Sequence, residues 1–216
     1  MTADTRSRKI RDEVRRAVEQ GRGIQKAVRD ITLKALTRGE LDQDAIRKVT
    51  SNVVKAVQEA ATVQGGRAKE VVAEAVAGLD EALTHAAQAL KLSIEEAAGR
   101  AEKFSREDLA KARSSLKNLE GDFLDTLRET ARASRSTVSA ILDDLIKHAQ
   151  GSGTAVGRQL QQMGGLSGRM AEAGRAQFEA GMHAAMSSTA VTARIASGVL
   201  AGIADTLDAN PKNRSR

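Results

Sequence analysis

The sequence predicts an all-α protein, an antiparallel amphipathic helical bundle with long helices and no sheet. Three observations lead there. Apolar residues recur at steps of three and four through most of the chain. No stretch alternates apolar and polar residues with period two over a useful length, and the single proline, Pro211, stands near the C-terminal end.

The first stripe, Ile10, Val14, Ala17, Gly21, Ile24, Val28, Ile31 and Ala35, reads as one amphipathic helix weakened by Gly21 and Gly23 and ended by Gly39. Asp42 offers an N-cap for a second helix along Ile46, Val49, Val53, Ala56, Ala60 and Val63. That helix is expected to stop at Gly65-Gly66 and turn back as a hairpin. Ala68, Val72, Ala75, Leu79, Ala82, Ala86 and Leu90 give the third stripe. Ser93-Ile94-Glu95-Glu96 matches the Ser-x-x-Glu capping box, so a short fourth helix is expected to begin there.

At Phe104-Ser105-Arg106-Glu107-Asp108-Leu109, Ser105 is expected to cap a helix, with Phe104 stapled onto Leu109 and Asp108 favouring the positive helix end. The stripe from Leu109 through Leu116, Leu119, Phe123, Leu127, Val138 and Ile141 to Leu145 then reads as one long helix. Its period is that of a straight helix, which fits a bundle better than an extended coiled coil.

From Gly151 the composition shifts: charges become sparse, and ten of the eighteen glycines lie between 151 and 202. The chain is therefore divided into a basic tail over 1–9, a helical bundle over 10–150, a Gly/Ala/Met-rich helical segment over 151–209 and a polar tail over 210–216. Drawn as one helix, the third segment has a narrow charged stripe and a broad weakly apolar face that includes Leu160, Met163, Met170, Phe178, Met182, Val199 and Ile203. Three readings of that face compete: packing inside the protein's own bundle, self-association, and adsorption to a lipid or granule surface. Small-xxx-small spacings such as Gly164/Gly168 and Gly198/Gly202 suit close helix pairing, and sparse charge suits adsorption.

Composition narrows the function. With no cysteine, a disulfide-stapled fold is excluded. Leu, Ile, Val and Phe make up only about one-fifth of the chain, so the core is expected to be thin and rich in alanine. The net charge of +6 gathers at the N-terminal end, where Arg8, Lys9, Arg11, Arg15 and Arg16 are candidate anion contacts, although Asp12, Glu13 and Glu19 interrupt them. The first ten residues lack an apolar signal-peptide core and no apolar run is long enough to span a bilayer, so a cytoplasmic protein is expected.

The search for chemistry returns little. His85, His148 and His183 each follow an acid by four residues (Glu81, Asp144, Glu179), which reads as surface side-chain pairing and departs from the Glu-x-x-His of di-iron bundles. Ser114-Ser115-Leu116-Lys117 matches Ser-x-x-Lys without the companion motifs or a sheet. Gly151-Ser152-Gly153-Thr154-Ala155-Val156-Gly157 misses the dinucleotide fingerprint by one residue and follows a helix where a strand is required. No catalytic residue, cofactor or metal is expected.

The whole chain resembles an uncharacterised bacterial all-helical family, through Thr32-Leu-Lys-Ala-Leu36, Ala77-Gly-Leu-Asp-Glu-Ala-Leu83 and Ala196-Ser-Gly-Val-Leu-Ala-Gly-Ile-Ala-Asp205. In its alanine-rich amphipathic composition it is also similar to phasins, which coat polyhydroxyalkanoate granules. The resemblance implies a non-enzymatic scaffold that works by self-association or by attachment to an apolar, granule or membrane surface. The expected partners are other copies of the chain and such a surface, with no small-molecule substrate. The alternative is a nucleoid-associated protein that grips DNA non-specifically through its basic first helix; the chain has no aromatic residues set among those basic ones for base stacking.

Overall fold

The computed structural model describes residues 3–38, 41–99, 106–134 and 136–163, all in helices or the turns between them. The all-α class holds, with no strand among the described residues.

The first stripe forms two helices, α1 (Ala3–Gln20) and α2 (Ile24–Leu36). Gly21 and Gly23 both adopt left-handed backbone, at φ 65° and 59°, a region that costs most other residues energy. The chain therefore reverses there instead of continuing as one helix, and Arg6 to Glu13 of α1 come to face Ile31 to Ala35 of α2, with Arg38 just beyond it, across one cleft. Because α1 starts at Ala3, Arg6, Arg8 and Lys9 are helical, although the sequence places them in a tail.

Asp42 caps α3 (Gln43–Ala61), its side chain accepting the Ala45 N–H at 2.7 Å. The helix ends before Gly65-Gly66. The Thr62 hydroxyl donates to the carbonyls of Gln58 and Glu59 and draws off the last-turn acceptors, leaving Val63, expected in the apolar stripe, 78% exposed. A single 3-10 turn, Gly65–Arg67, leads into α4 (Ala68–Gly99). No separate helix starts at Ser93: that residue is fully buried and its hydroxyl donates back to Ala89 O at 2.8 Å, so it cannot cap a new helix and α4 runs on.

The long stripe after residue 105 is likewise two helices, α5 (Arg106–Ala133) and α6 (Ser136–Ser152). Thr126, Thr130 and Ser134 donate in series to the carbonyls four residues back, a pattern that bends helices, and α5 stops there. That α6 runs back along α5 follows from Thr154, just beyond its end, which reaches Glu120 far up α5. The expected cap and staple, Ser105 and Phe104, lie outside the described residues. A short helix, α7 (Ala155–Met163), completes the described fold.

Helix α4 is the axis. It touches α2, α3, α5, α6 and α7 and buries residues on several sides, including Val71, Val72, Leu79, Leu83, Ala87 and Leu90. Such burial requires small side chains where helix backbones approach, which explains the many alanines on this helix. The core then closes with Phe123 and Leu127 of α5, Leu142 of α6 and Val156 of α7.

Candidate functional site

The block Ala77 to Leu83 lies at the centre of α4, and its residues divide the work of holding two other helices. A Cβ on Gly78 would run into the Gln25 carbonyl oxygen, so only glycine lets α2 lie this close. Leu79 and Leu83 are in the core. Glu81 points to α2, where its carboxylate accepts Arg29 Nη1 at 2.9 Å and Gln25 Nε2 at 3.3 Å.

Arg29 is 4% exposed, an unusual place for a guanidinium without acid partners. Its Nε donates to Asp30 at 2.9 Å; Nη2 lies 2.8 Å from the same oxygen, an ion-pair contact that lacks hydrogen-bond alignment. Burial alone would lower the Arg29 pKa. The hydrogen bonds and charges of Glu81 and Asp30 outweigh it and hold the group above its ordinary value, so Arg29 stays charged.

Asp80 turns the other way, to α7. Its two carboxylate oxygens accept the Ala155 N–H at 2.6 Å and the Val156 N–H at 2.9 Å, filling the first turn of α7 with an anion supplied by α4. Thr154 caps the same turn by accepting the Gly157 N–H at 2.8 Å while donating to Glu120 Oε1 at 2.6 Å. Glu120 lies so close that a Cβ on Gly157 would clash with its carboxylate. Gly153, at φ 77°, makes the turn, and Arg158 closes it by donating to the carbonyls of Gly153 and Ser152 at 2.8 and 3.2 Å. Burial pushes the Asp80 carboxyl above its ordinary pKa and the Glu120 charge adds to that; the two N–H donors and Arg158 oppose it.

The glycine-rich segment 151–157 thus receives an anion at a helix start, and the anion is the protein's own Asp80. Its donors are already satisfied. This cluster is a clamp between helices. Sequence reading misses Asp80, Glu120, Thr154 and Arg29 in these roles. The signals for them are the resemblance block at 77–83 and the near-fingerprint at 151–157, neither of which carries a known motif's full pattern.

The histidine reading changes as well. Glu81 is engaged by Arg29, and His85 Nδ1 lies 3.3 Å from Gln88 Oε1, so the expected pairing of Glu81 with His85 is not made. His148 is exposed, and His183 lies outside the described residues. No group of three or more His, Cys, Asp or Glu among the described residues could hold a metal ion.

Several of the candidate anion contacts on the first helix are engaged by acids. Arg8 pairs with Asp4 at 2.6 Å, Lys9 with Glu13 at 4.0 Å, and Arg15 with Glu59 of α3 at 3.1 Å and Asp12 at 3.8 Å. Arg16 is exposed and Arg11 half-buried. A different set of cations, Arg6, Lys9, Lys34 and Arg38, converges on the cleft between α1 and α2.

Of the C-terminal face, Leu160 is partly buried against the core, and Val156 beside it is fully buried. Met163 ends α7. Met170, Phe178, Met182, Val199 and Ile203 lie outside the described residues. The compositional shift at Gly151 falls within α6, so the core continues past it.

No curated protein and no solved structure matches the chain. A family model does match, over residues 1–209, and the chain belongs to that family, described as a family of unknown function (DUF6781).

Proposed function

We propose that this chain is a non-enzymatic interaction protein whose helical bundle anchors a C-terminal segment, 164–209, that carries self-association or attachment to an apolar, granule or membrane surface, in the manner of a phasin-like scaffold. One observation supports this reading above others: among the described residues only Val63 and Leu92 are exposed large hydrophobics. Among the described side chains, these two make no broad apolar face. The C-terminal segment carries further apolar residues, Met170, Phe178, Met182, Val199 and Ile203, and the Asp80 clamp holds α7, the helix that precedes it in sequence. No described helix is long and apolar enough to cross a membrane.

The test is a full-length variant carrying Phe178→Asp, Met182→Asp and Ile203→Asp, compared with the unaltered chain by light scattering and by binding to phospholipid-coated oil droplets. The expected result is an unaltered chain that assembles or coats droplets and a variant that does neither while melting at the same temperature. An unaltered chain that is monomeric and ignores droplets, or a variant that unfolds, overturns the reading.

A further inference from the structure

We propose that the cleft between α1 and α2 is a binding site for the anionic headgroup of a phospholipid at the surface of a bilayer or monolayer. The proposal rests on the surface-attachment reading above and names the surface chemistry. On α1, Arg6, Lys9, Ile10 and Glu13 share one face at helical spacing. On α2, Ile31, Lys34 and Ala35 do the same, and Arg38 follows in the turn just past its C-terminal end. The Gly21–Gly23 reversal sets these faces against each other across a shallow cleft open to solvent.

The charge balance in this cleft is four cations to one acid. Glu13 is only 4.0 Å from Lys9, a loose pair, and Arg6, Lys34 and Arg38 have no ion pair among the described residues. All four cationic residues are exposed. This contrasts with Arg8, Arg15 and Arg29, which acids already occupy. The floor is Ile10, Ile31 and Ala35, three side chains that pack against the core from its edge.

A cationic rim on an isoleucine floor complements a group with phosphate or carboxylate oxygens on one side and carbon on the other. Long Lys and Arg side chains can lay their stems on such a floor while their charged ends reach the anion. A DNA duplex needs cations spaced along a row of phosphates, whereas these line a single cleft with apolar surface beneath, and the cleft presents no aromatic ring for a base.

The experiment uses the full chain and a triple variant, Arg6→Gln/Lys34→Gln/Arg38→Gln. Both are sedimented with vesicles of phosphatidylcholine alone or mixed with phosphatidylserine, and both are titrated with a short DNA duplex at the same salt. Because the three substituted side chains are exposed and unpaired among the described residues, the variant is expected to melt with the unaltered chain. The unaltered chain should prefer phosphatidylserine vesicles by about tenfold or more, and the variant should lose that preference. A charge-conserving variant, Lys34→Arg/Arg38→Lys with Arg6 kept, should retain it. Equal binding to both vesicles, no binding to either, an unaffected triple variant, or tighter binding to DNA overturns the proposal. The two readings separate in the outcome: self-association without a phosphatidylserine preference removes the cleft and keeps the scaffold, and a phosphatidylserine preference that the cleft variant loses while the Phe178→Asp/Met182→Asp/Ile203→Asp variant keeps it removes attachment through the C-terminal segment and keeps the cleft.

Discussion

The carboxylate of Asp80, midway along α4, accepts the backbone N–H of Val156 at 2.9 Å, and through this contact a helix from beyond the compositional break joins the core of the bundle. Its neighbour Glu81 holds Arg29 on α2. Adjacent acids on one turn thus fasten α2 and α7 to the same helix.

Replacing Asp80 by alanine should destabilise the protein by about 1–2 kcal/mol, as expected for losing a helix cap, and should expose α7 to proteolysis before the rest of the bundle. Urea unfolding and limited digestion measure both. Loss of stability without early cleavage at α7 would contradict the clamp.

Asp80→Asn should behave differently, because it keeps an acceptor and removes a buried charge. The folded-state pKa of Asp80 is raised above 3.8, so its proton-linked stability is fully present below that value and is lost as pH rises through the raised pKa. The unaltered chain should therefore lose stability relative to Asp80→Asn as pH climbs from below 3.8 toward neutrality. Urea titrations across that range check the sign, and a relative gain on raising the pH would refute it.

Gly78→Ala should destabilise by about 2–4 kcal/mol, since the added Cβ meets backbone at Gln25 and the two helices must separate. Gly121→Ala is the control. That glycine is exposed in α5 with nothing within 4 Å of a Cβ, so alanine should stabilise by about 0.5–1 kcal/mol. Equal effects at the two positions would show that α2 does not lie against α4 as described.

Glu81→Ala leaves Arg29 with only Asp30 and should cost about 2 kcal/mol, less than a fully orphaned buried charge. Adding Arg29→Met to that variant should recover most of the loss in a chemical-denaturation cycle. A double variant as unstable as the sum of the single ones, or more so, would argue against coupling through this pair.

The helices themselves are legible in the sequence because burial follows period. Every member of the third stripe, from Ala68 to Leu90, is buried, and Asp42 caps α3. Helix ends are harder to read. Ser93 looks like a cap in sequence, yet in a buried helix its hydroxyl is satisfied by the preceding turn; Thr62 and Ser134 use the same bond where helices stop. One local interaction serves both outcomes, and tertiary burial decides between them. Gly21 and Gly23 are visible as a weak point, but a glycine pair permits continuation as well as reversal, and the reversal depends on packing that no local pattern encodes. The clamp is hidden for a similar reason. Asp80, Glu120 and Thr154 are far apart in sequence and meet only once α4, α5 and α7 are packed.

The proposal that the bundle folds by itself and leaves self-association to the segment beyond α7 is checked by light scattering and thermal melting of the full chain beside a truncation ending at Met163. The account predicts a truncation that melts cooperatively as a monomer and a full chain that assembles. A truncation that unfolds, or that assembles as well as the full chain does, would contradict it.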